Sequence, residues 1–185
     1  MNVRIIPLFI FLFFIATSCV IQITGFTSNY KNVKLGSPQL IKKIHPDHLL
    51  CEATYSDSCK VVLVNGKQLK SCIQEKDRVI LYIWDGNCSS SYCYGLDRVQ
   101  AYLNEKGIAL YVVAEYYDKQ LLNAFYNLQY PIFGIDTEYY NTNLIGKYVK
   151  KFLADLSIKK QDSNRMIYLE KGKFVKTFQI LEKIQ

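Results

Sequence analysis

Tyr82-Ile83-Trp84-Asp85-Gly86-Asn87-Cys88-Ser89-Ser90-Ser91-Tyr92-Cys93 closes a near-continuous apolar run that begins at Arg78. A run without polar alternation marks a strand buried on both faces of a helix-covered sheet. A strand that breaks into a loop and then a helix places a thiol at a helix N-terminus, where unpaired N–H groups and the helix dipole favour the thiolate. Cys88 is thus the candidate nucleophile and Cys93 its candidate partner. On an ideal helix, Cα atoms five residues apart lie about 8 to 9 Å from each other, whereas a disulfide needs roughly 7 Å or less. The two pair only if the segment is a widened loop and the helix begins later. Two readings of the pair stand: a reactive thiol with its partner, or a structural disulfide that pins a loop. Asp85, if close, would raise the thiol pKa.

Outward from this stretch, strands and helices alternate. Ser37-Pro38 predicts a short helix through Ile44, with proline at its first position. Lys60 to Val64 predicts a β-branched strand, and Leu69, Cys72 and Ile73 then fall at helical spacing. Past the cysteine pair, Leu96, Val99 and Leu103 form a helical stripe ended by Gly107, and Ile108 to Ala114 predicts another buried strand. Asp118 predicts an N-cap for a helix carrying Leu121, Leu122, Phe125 and Leu128. Pro131 to Asp136 reads as a short strand, and Leu144 to Leu156 as the clearest amphipathic helix of the chain. Met166 to Leu169 and Phe174 to Phe178 flank Glu170-Lys171-Gly172-Lys173, a hairpin with glycine where the turn needs positive φ. The order implies an α/β fold: a mixed sheet whose parallel strands are joined by helical crossovers, closed by an antiparallel hairpin.

The chain opens with Met1-Asn2-Val3-Arg4, an apolar run from Ile5 to Ala16, and Thr17-Ser18-Cys19. One positive charge, an apolar stretch and small residues read as a secretory signal over residues 1–18. Ala16-Thr17-Ser18-Cys19 resembles the lipobox of bacterial lipoproteins, in which the cysteine becomes the lipidated first residue. The alternative is an uncleaved anchor, because Val20, Ile21 and Ile23 extend the run to roughly the twenty residues a membrane span needs. In either case the remainder faces a compartment outside the cytosol. Residues 19–36 then read as a lipidated N-terminus and polar tether, and residues 37–185 as one domain. Half the residues are hydrophobic and 14% aromatic, enough for a core that does not depend on disulfides. The net charge of +7 is spread over helix faces and strand ends rather than gathered into one run, which excludes a nucleic-acid partner.

An oxidising compartment lets disulfides persist. Of the six cysteines, a lipidated Cys19 leaves five, which cannot all pair. Cys51 and Cys59, close in a polar stretch, are expected to close a small loop, and Cys72, on the apolar face of its helix, reads as a buried thiol; cross-pairing of Cys72 stays open. His45-Pro46-Asp47-His48 with Cys51 contains metal-ligand residue types, but no second cluster completes a tetrahedral site, and the segment reads as a turn without a metal. The tyrosines at 116, 117, 126, 130, 139 and 140 read as core edges with wet hydroxyls.

With these residues in place, the chain resembles the thioredoxin-like superfamily, and within it the envelope-anchored thiol-disulfide oxidoreductase branch. There too a strand ends in tryptophan and the attacking cysteine follows four residues later, as Trp84 and Cys88 do. Tyr130 to Asp136 looks like the inserted short strand of that branch, and Met166 to Val175 like its final hairpin. The resemblance covers about Lys60 to Phe178 and implies a three-layer α/β/α fold with an inserted helix and short strand. It implies thiol-disulfide exchange with protein thiols or disulfides of the envelope, on the periplasmic side of a membrane held through the lipid anchor, with no cofactor. Cys88 and Cys93 would carry the chemistry, with Trp84, Ser91 and Arg165 around the substrate groove. Ser91 stands where the family's resolving cysteine would be, Asn164-Arg165 where it has a cis-proline, and Tyr82 where many members have a buried acid. The alternative is a redox-inactive binding module that keeps the fold and uses disulfides for rigidity.

Overall fold

A computed structural model of the chain describes residues 26–44, 51, 61–88, 93–159 and 162–184. In chain order its strands are β1 (Ile41–Lys43), β2 (Val61–Val64), β3 (Arg78–Trp84), β4 (Ala109–Ala114), β5 (Ile132–Ile135), β6 (Met166–Glu170) and β7 (Lys173–Phe178). Its helices are α1 (Tyr30–Gly36), α2 (Gly66–Gln74), α3 (Leu96–Glu105), α4 (Lys119–Asn123) and α5 (Ile145–Asp155). The strands form one seven-stranded sheet in the order β1-β2-β5-β4-β3-β6-β7. The first five in that order are parallel to their neighbours, while β6 runs antiparallel to β3 and β7 antiparallel to β6. The chain is therefore α/β with a mixed sheet, as the alternation of elements implied.

The uninterrupted apolar character of β3 follows from its position. Every residue from Val79 to Trp84 is buried, because successive side chains point to opposite faces and both faces are covered. Ile80, Tyr82 and Trp84 pack with Tyr30 and Val33 of α1 and with Leu96, Val99 and Leu103 of α3. Val79, Leu81 and Ile83 pack with Leu69, Cys72 and Ile73 of α2 and with Tyr148, Phe152 and Leu153 of α5. α2 starts on a capping box, in which Asn65 accepts from the Gln68 N–H while the Gln68 side chain accepts from the Asn65 N–H; this satisfies two donors that a helix start leaves open. The β6–β7 turn places Lys171 and Gly172 at φ 47° and 74°, the pair of positive angles whose twist suits a two-residue hairpin.

Three expectations are corrected. The segment after Pro38 is a single 3-10 turn, Pro38–Leu40, followed by edge strand β1, because Ile41 to Lys43 find parallel partners in Val61 to Leu63. The helix after Asp118 ends at Asn123. Beyond it the Asn127 and Gln129 N–H groups are taken by the side chains of Asp97 and Gln100 on α3, and Phe125 is left 70% exposed; tertiary partners override the local helix propensity. Finally, residues 26–36 are not a tether. α1 buries Tyr30 and Val33, and the strand-like segment before it is tied down by Ser28 N–H to Asn143 O at 3.0 Å and Tyr117 N–H to Ser28 O at 2.9 Å. The folded unit thus begins by residue 26 rather than 37. Residues 1–25, with the signal and lipidation readings, lie outside the described residues.

Candidate functional site

β2, β3, β4 and β5 point their C-terminal ends the same way, and chain leaving such ends builds the crevice in which open α/β sheets bind ligands. Past Trp84 the backbone turns at once: the Asp85 carbonyl accepts from the Cys88 N–H at 3.1 Å, and Asp85 Oδ1 accepts from the Asn87 N–H at 3.1 Å. Asp85 therefore shapes the turn that presents Cys88. Cys88 and Cys93 form a disulfide with their Cα atoms 5.8 Å apart, closer than residues five apart on one helix would be. Neither lies in a helix; α3 begins only at Leu96, with Gly95 as its N-cap. Residues 89–92 lie outside the described residues; α3, which begins at Leu96, does not place its N-terminus at Cys88, and its dipole gives no direct support to a Cys88 thiolate.

The two cysteines line a groove of about 260 Å³ with Tyr82, Met166, Arg165 and the end of β7 at Phe178. Tyr82 and Met166 are cross-strand partners on β3 and β6. Burial pushes the Tyr82 phenol above its ordinary pKa, with the Arg165 guanidinium opposing. The segment after Cys93 is anchored from the chain's end: the Tyr94 hydroxyl donates to Glu182 at 3.1 Å and accepts from the Leu181 N–H at 3.3 Å, while Arg98 pairs with Glu182 at 2.6 Å.

Arg165 is the electrostatic centre of the site. Directly before β6, its guanidinium lies 2.5 Å from Glu115 and 3.5 Å from Asp85, and it donates to the Ile83 carbonyl at 3.4 Å. Its own carbonyl accepts from the Ile83 N–H at 2.9 Å. Glu115 immediately follows β4 and is 13% exposed; its carbonyl accepts a short hydrogen bond from the Tyr148 hydroxyl of α5. Burial, then the nearby Glu115 and Asp85 charges, push the Tyr148 phenol well above its ordinary pKa.

Of the residues expected at the site, Cys88, Cys93 and Arg165 meet at this groove. Trp84 does not line it: its ring lies in the core, edge-on to Tyr126 with centroids 5.8 Å apart. Ser91 lies outside the described residues. The expected Cys51–Cys59 loop is replaced by a Cys51–Cys72 disulfide with a Cα separation of 4.9 Å, which Cys51 makes with the buried face of α2; Cys59 is outside the described residues. His45 and His48 are also outside them, and among the described residues no three His, Cys, Asp or Glu side chains could together hold a metal ion. Sequence reading missed the Asp85–Arg165–Glu115 cluster. The signal was present, since both acids directly follow buried strands, but only the sheet order shows that they meet. Comparison with protein-family models, with curated proteins and with solved structures finds no match.

Proposed function

We propose that this chain is a membrane-tethered, thioredoxin-like protein that exchanges thiols and disulfides in the cell envelope through Cys88, with Cys93 as its partner. One observation carries the reading: both cysteines of the pair line an open groove at the carboxyl ends of the parallel strands, with Arg165 on the same groove. A disulfide serving only rigidity has no need of such access. The thioredoxin-like, three-layer arrangement is supported by the two cores on either side of the sheet, by the antiparallel β6–β7 hairpin beside β3, and by β5 with α4 as the insert. Tethering through Cys19 and a periplasmic location rest on the apolar N-terminus and its lipobox-like end.

In the reductive direction the Cys88 thiolate attacks one sulfur of a substrate disulfide, forming a mixed disulfide and releasing the first substrate thiolate, which takes up a proton. The Cys93 thiolate then attacks Cys88 Sγ, and the second substrate thiolate leaves as the Cys88–Cys93 disulfide forms. Two electrons pass from the cysteine pair to the substrate. In the oxidative direction the same steps run backwards, starting from the disulfide the structure holds.

The test compares insulin reduction by the dithiothreitol-recycled wild type and by Cys88→Ser. Loss of the catalysed rate in the variant is expected, and equal rates would remove the exchange reading. The second reading, a binding module stiffened by disulfides, is favoured by the start of α3 beyond Cys93, which keeps the dipole of that helix away from Cys88.

A further inference from the structure

Two separate stretches run side by side at the edge of the site end of the molecule. The Phe26 carbonyl accepts from the Ile145 N–H and the Asn143 carbonyl from the Ser28 N–H, each at 3.0 Å. Farther along, Tyr30 and Lys31 share a cleft with Thr137, Glu138 and Asn141 to Asn143, and Lys34 pairs with Glu138. Residues 26–36 and 137–145 thus form one antiparallel ledge. Four of the seven large hydrophobic side chains exposed among the described residues stand on it: Phe26 at 66%, Leu35 at 84%, Tyr139 at 48% and Leu144 at 42%. Such concentration is unusual on a surface that meets only water.

Charge and chain length say what the ledge meets. Its one carboxylate, Glu138, is engaged by both Lys34 and Lys43, while Lys31 and, just beyond the ledge, Lys147 are exposed. The surface therefore mixes apolar side chains with lysine and offers no unneutralised anion. The chain reaches Phe26 directly from its apolar N-terminal run. Seven residue steps separate Cys19 from Phe26, a reach of at most about 25 Å, and three separate Ile23 from Phe26, at most about 10 Å. Anchoring at either residue therefore holds the start of the ledge within that distance of the membrane.

We infer that the ledge formed by residues 26–36 and 137–145 rests on the bilayer, with Leu35 and Leu144 entering its interface and the lysines against anionic headgroups. Amphipathic surfaces dock in this way, with apolar groups among the acyl chains and lysines at the phosphates. This rests on the N-terminal anchoring proposed above and not on the cysteine chemistry. It also constrains the substrate. The ledge follows the C-terminal ends of β4 and β5, the same end of the sheet at which the Cys88–Cys93 groove opens, so the groove faces the membrane-proximal layer and the disulfides it reaches are those close to a bilayer.

The test places a reporter tryptophan in the full chain, reconstituted into vesicles of phosphatidylcholine with about 30% phosphatidylglycerol, with and without brominated acyl chains. Leu35→Trp probes the ledge, Val175→Trp on the far edge strand β7 serves as the comparison, and the parent's buried Trp84 supplies the baseline. Leu35→Trp emission is expected to fall by about twofold or more in brominated vesicles, as for a side chain inserted at the interface, while Val175→Trp stays at baseline. Co-flotation without quenching of Leu35→Trp would overturn the ledge alone. So would equal quenching of both probes, or shielding of Leu35→Trp that depends on protein concentration and marks a second copy as the occupant. Failure of the chain to float with vesicles would overturn the ledge together with the anchoring, while leaving insulin reduction untouched.

Discussion

The Arg165 guanidinium meets the Glu115 carboxylate at 2.5 Å across the end of β3. In the sheet β3 lies between β4, which Glu115 follows, and β6, which Arg165 precedes. The pair is thus a strap over the strand that delivers Asp85 and Cys88, and Asp85 itself reaches the same guanidinium at 3.5 Å. Arg165→Met is expected to lower the unfolding free energy by about 2 kcal/mol, less than a fully buried pair would cost because Arg165 is one-third exposed. Urea denaturation measures it, and a double-mutant cycle with Glu115→Gln should give a coupling above about 0.5 kcal/mol. Additive effects would mean that the strap contributes nothing.

The two disulfides differ in surroundings. Cys72 is fully buried, whereas Cys88 and Cys93 line the groove. Under limiting reductant followed by alkylation, mass spectrometry should find Cys88 and Cys93 labelled well before Cys51 and Cys72. The reverse order would contradict the access on which exchange depends.

Cys51–Cys72 closes a loop with a sequence separation of 21. Chain-entropy reasoning assigns such a link about 3 kcal/mol. Cys51→Ser should lower stability by about that amount in denaturant unfolding under oxidising conditions while leaving insulin reduction at the wild-type rate.

Gly134 lets β5 approach its neighbours. A Cβ there would stand 2.5 Å from the Tyr117 hydroxyl and 2.6 Å from Val61 Cγ1, and that buried hydroxyl donates to the Ile135 carbonyl at 2.8 Å. Gly134→Ala is expected to destabilise by about 2 to 3 kcal/mol through overpacking. A melting temperature equal to the wild type's would show that Tyr117 yields without cost.

Glu138 carries the pH dependence of the ledge. Hydrogen bonds from Lys34, then Lys43, lower its pKa to about 2, against 4.5 for an ordinary glutamate. The folded state thus favours the ionised form, so the stabilisation is complete above about pH 5 and is lost as pH falls towards 2. Because the group is largely exposed, its size is expected to stay below about 1 kcal/mol. Stability curves of wild type and Glu138→Gln should differ at neutral pH and converge as pH approaches 2.

The sequence by itself determined the parallel α/β character, the spans of β3, β4, β5 and α5, and the closing hairpin. Each is written locally, in a continuous apolar run, a helical stripe, or a glycine at a positive-φ turn. The sequence also singled out Cys88 and Cys93, because thiols beyond a buried strand stand out in one dimension, whereas Arg165 entered only through the family resemblance. Tertiary structure alone decided the rest. Cys51 takes Cys72 rather than Cys59 because α2 brings Cys72 within 4.9 Å between Cα atoms, a proximity that spacing along the chain does not encode. Phe125 leaves the core because Asp97 and Gln100 take the N–H groups that a longer α4 would have used. Residues 26–36 join the fold because a partner more than a hundred residues away supplies their hydrogen bonds. Asp85, Glu115 and Arg165 meet because β3, between β4 and β6, brings three distant chain segments to one end of the sheet.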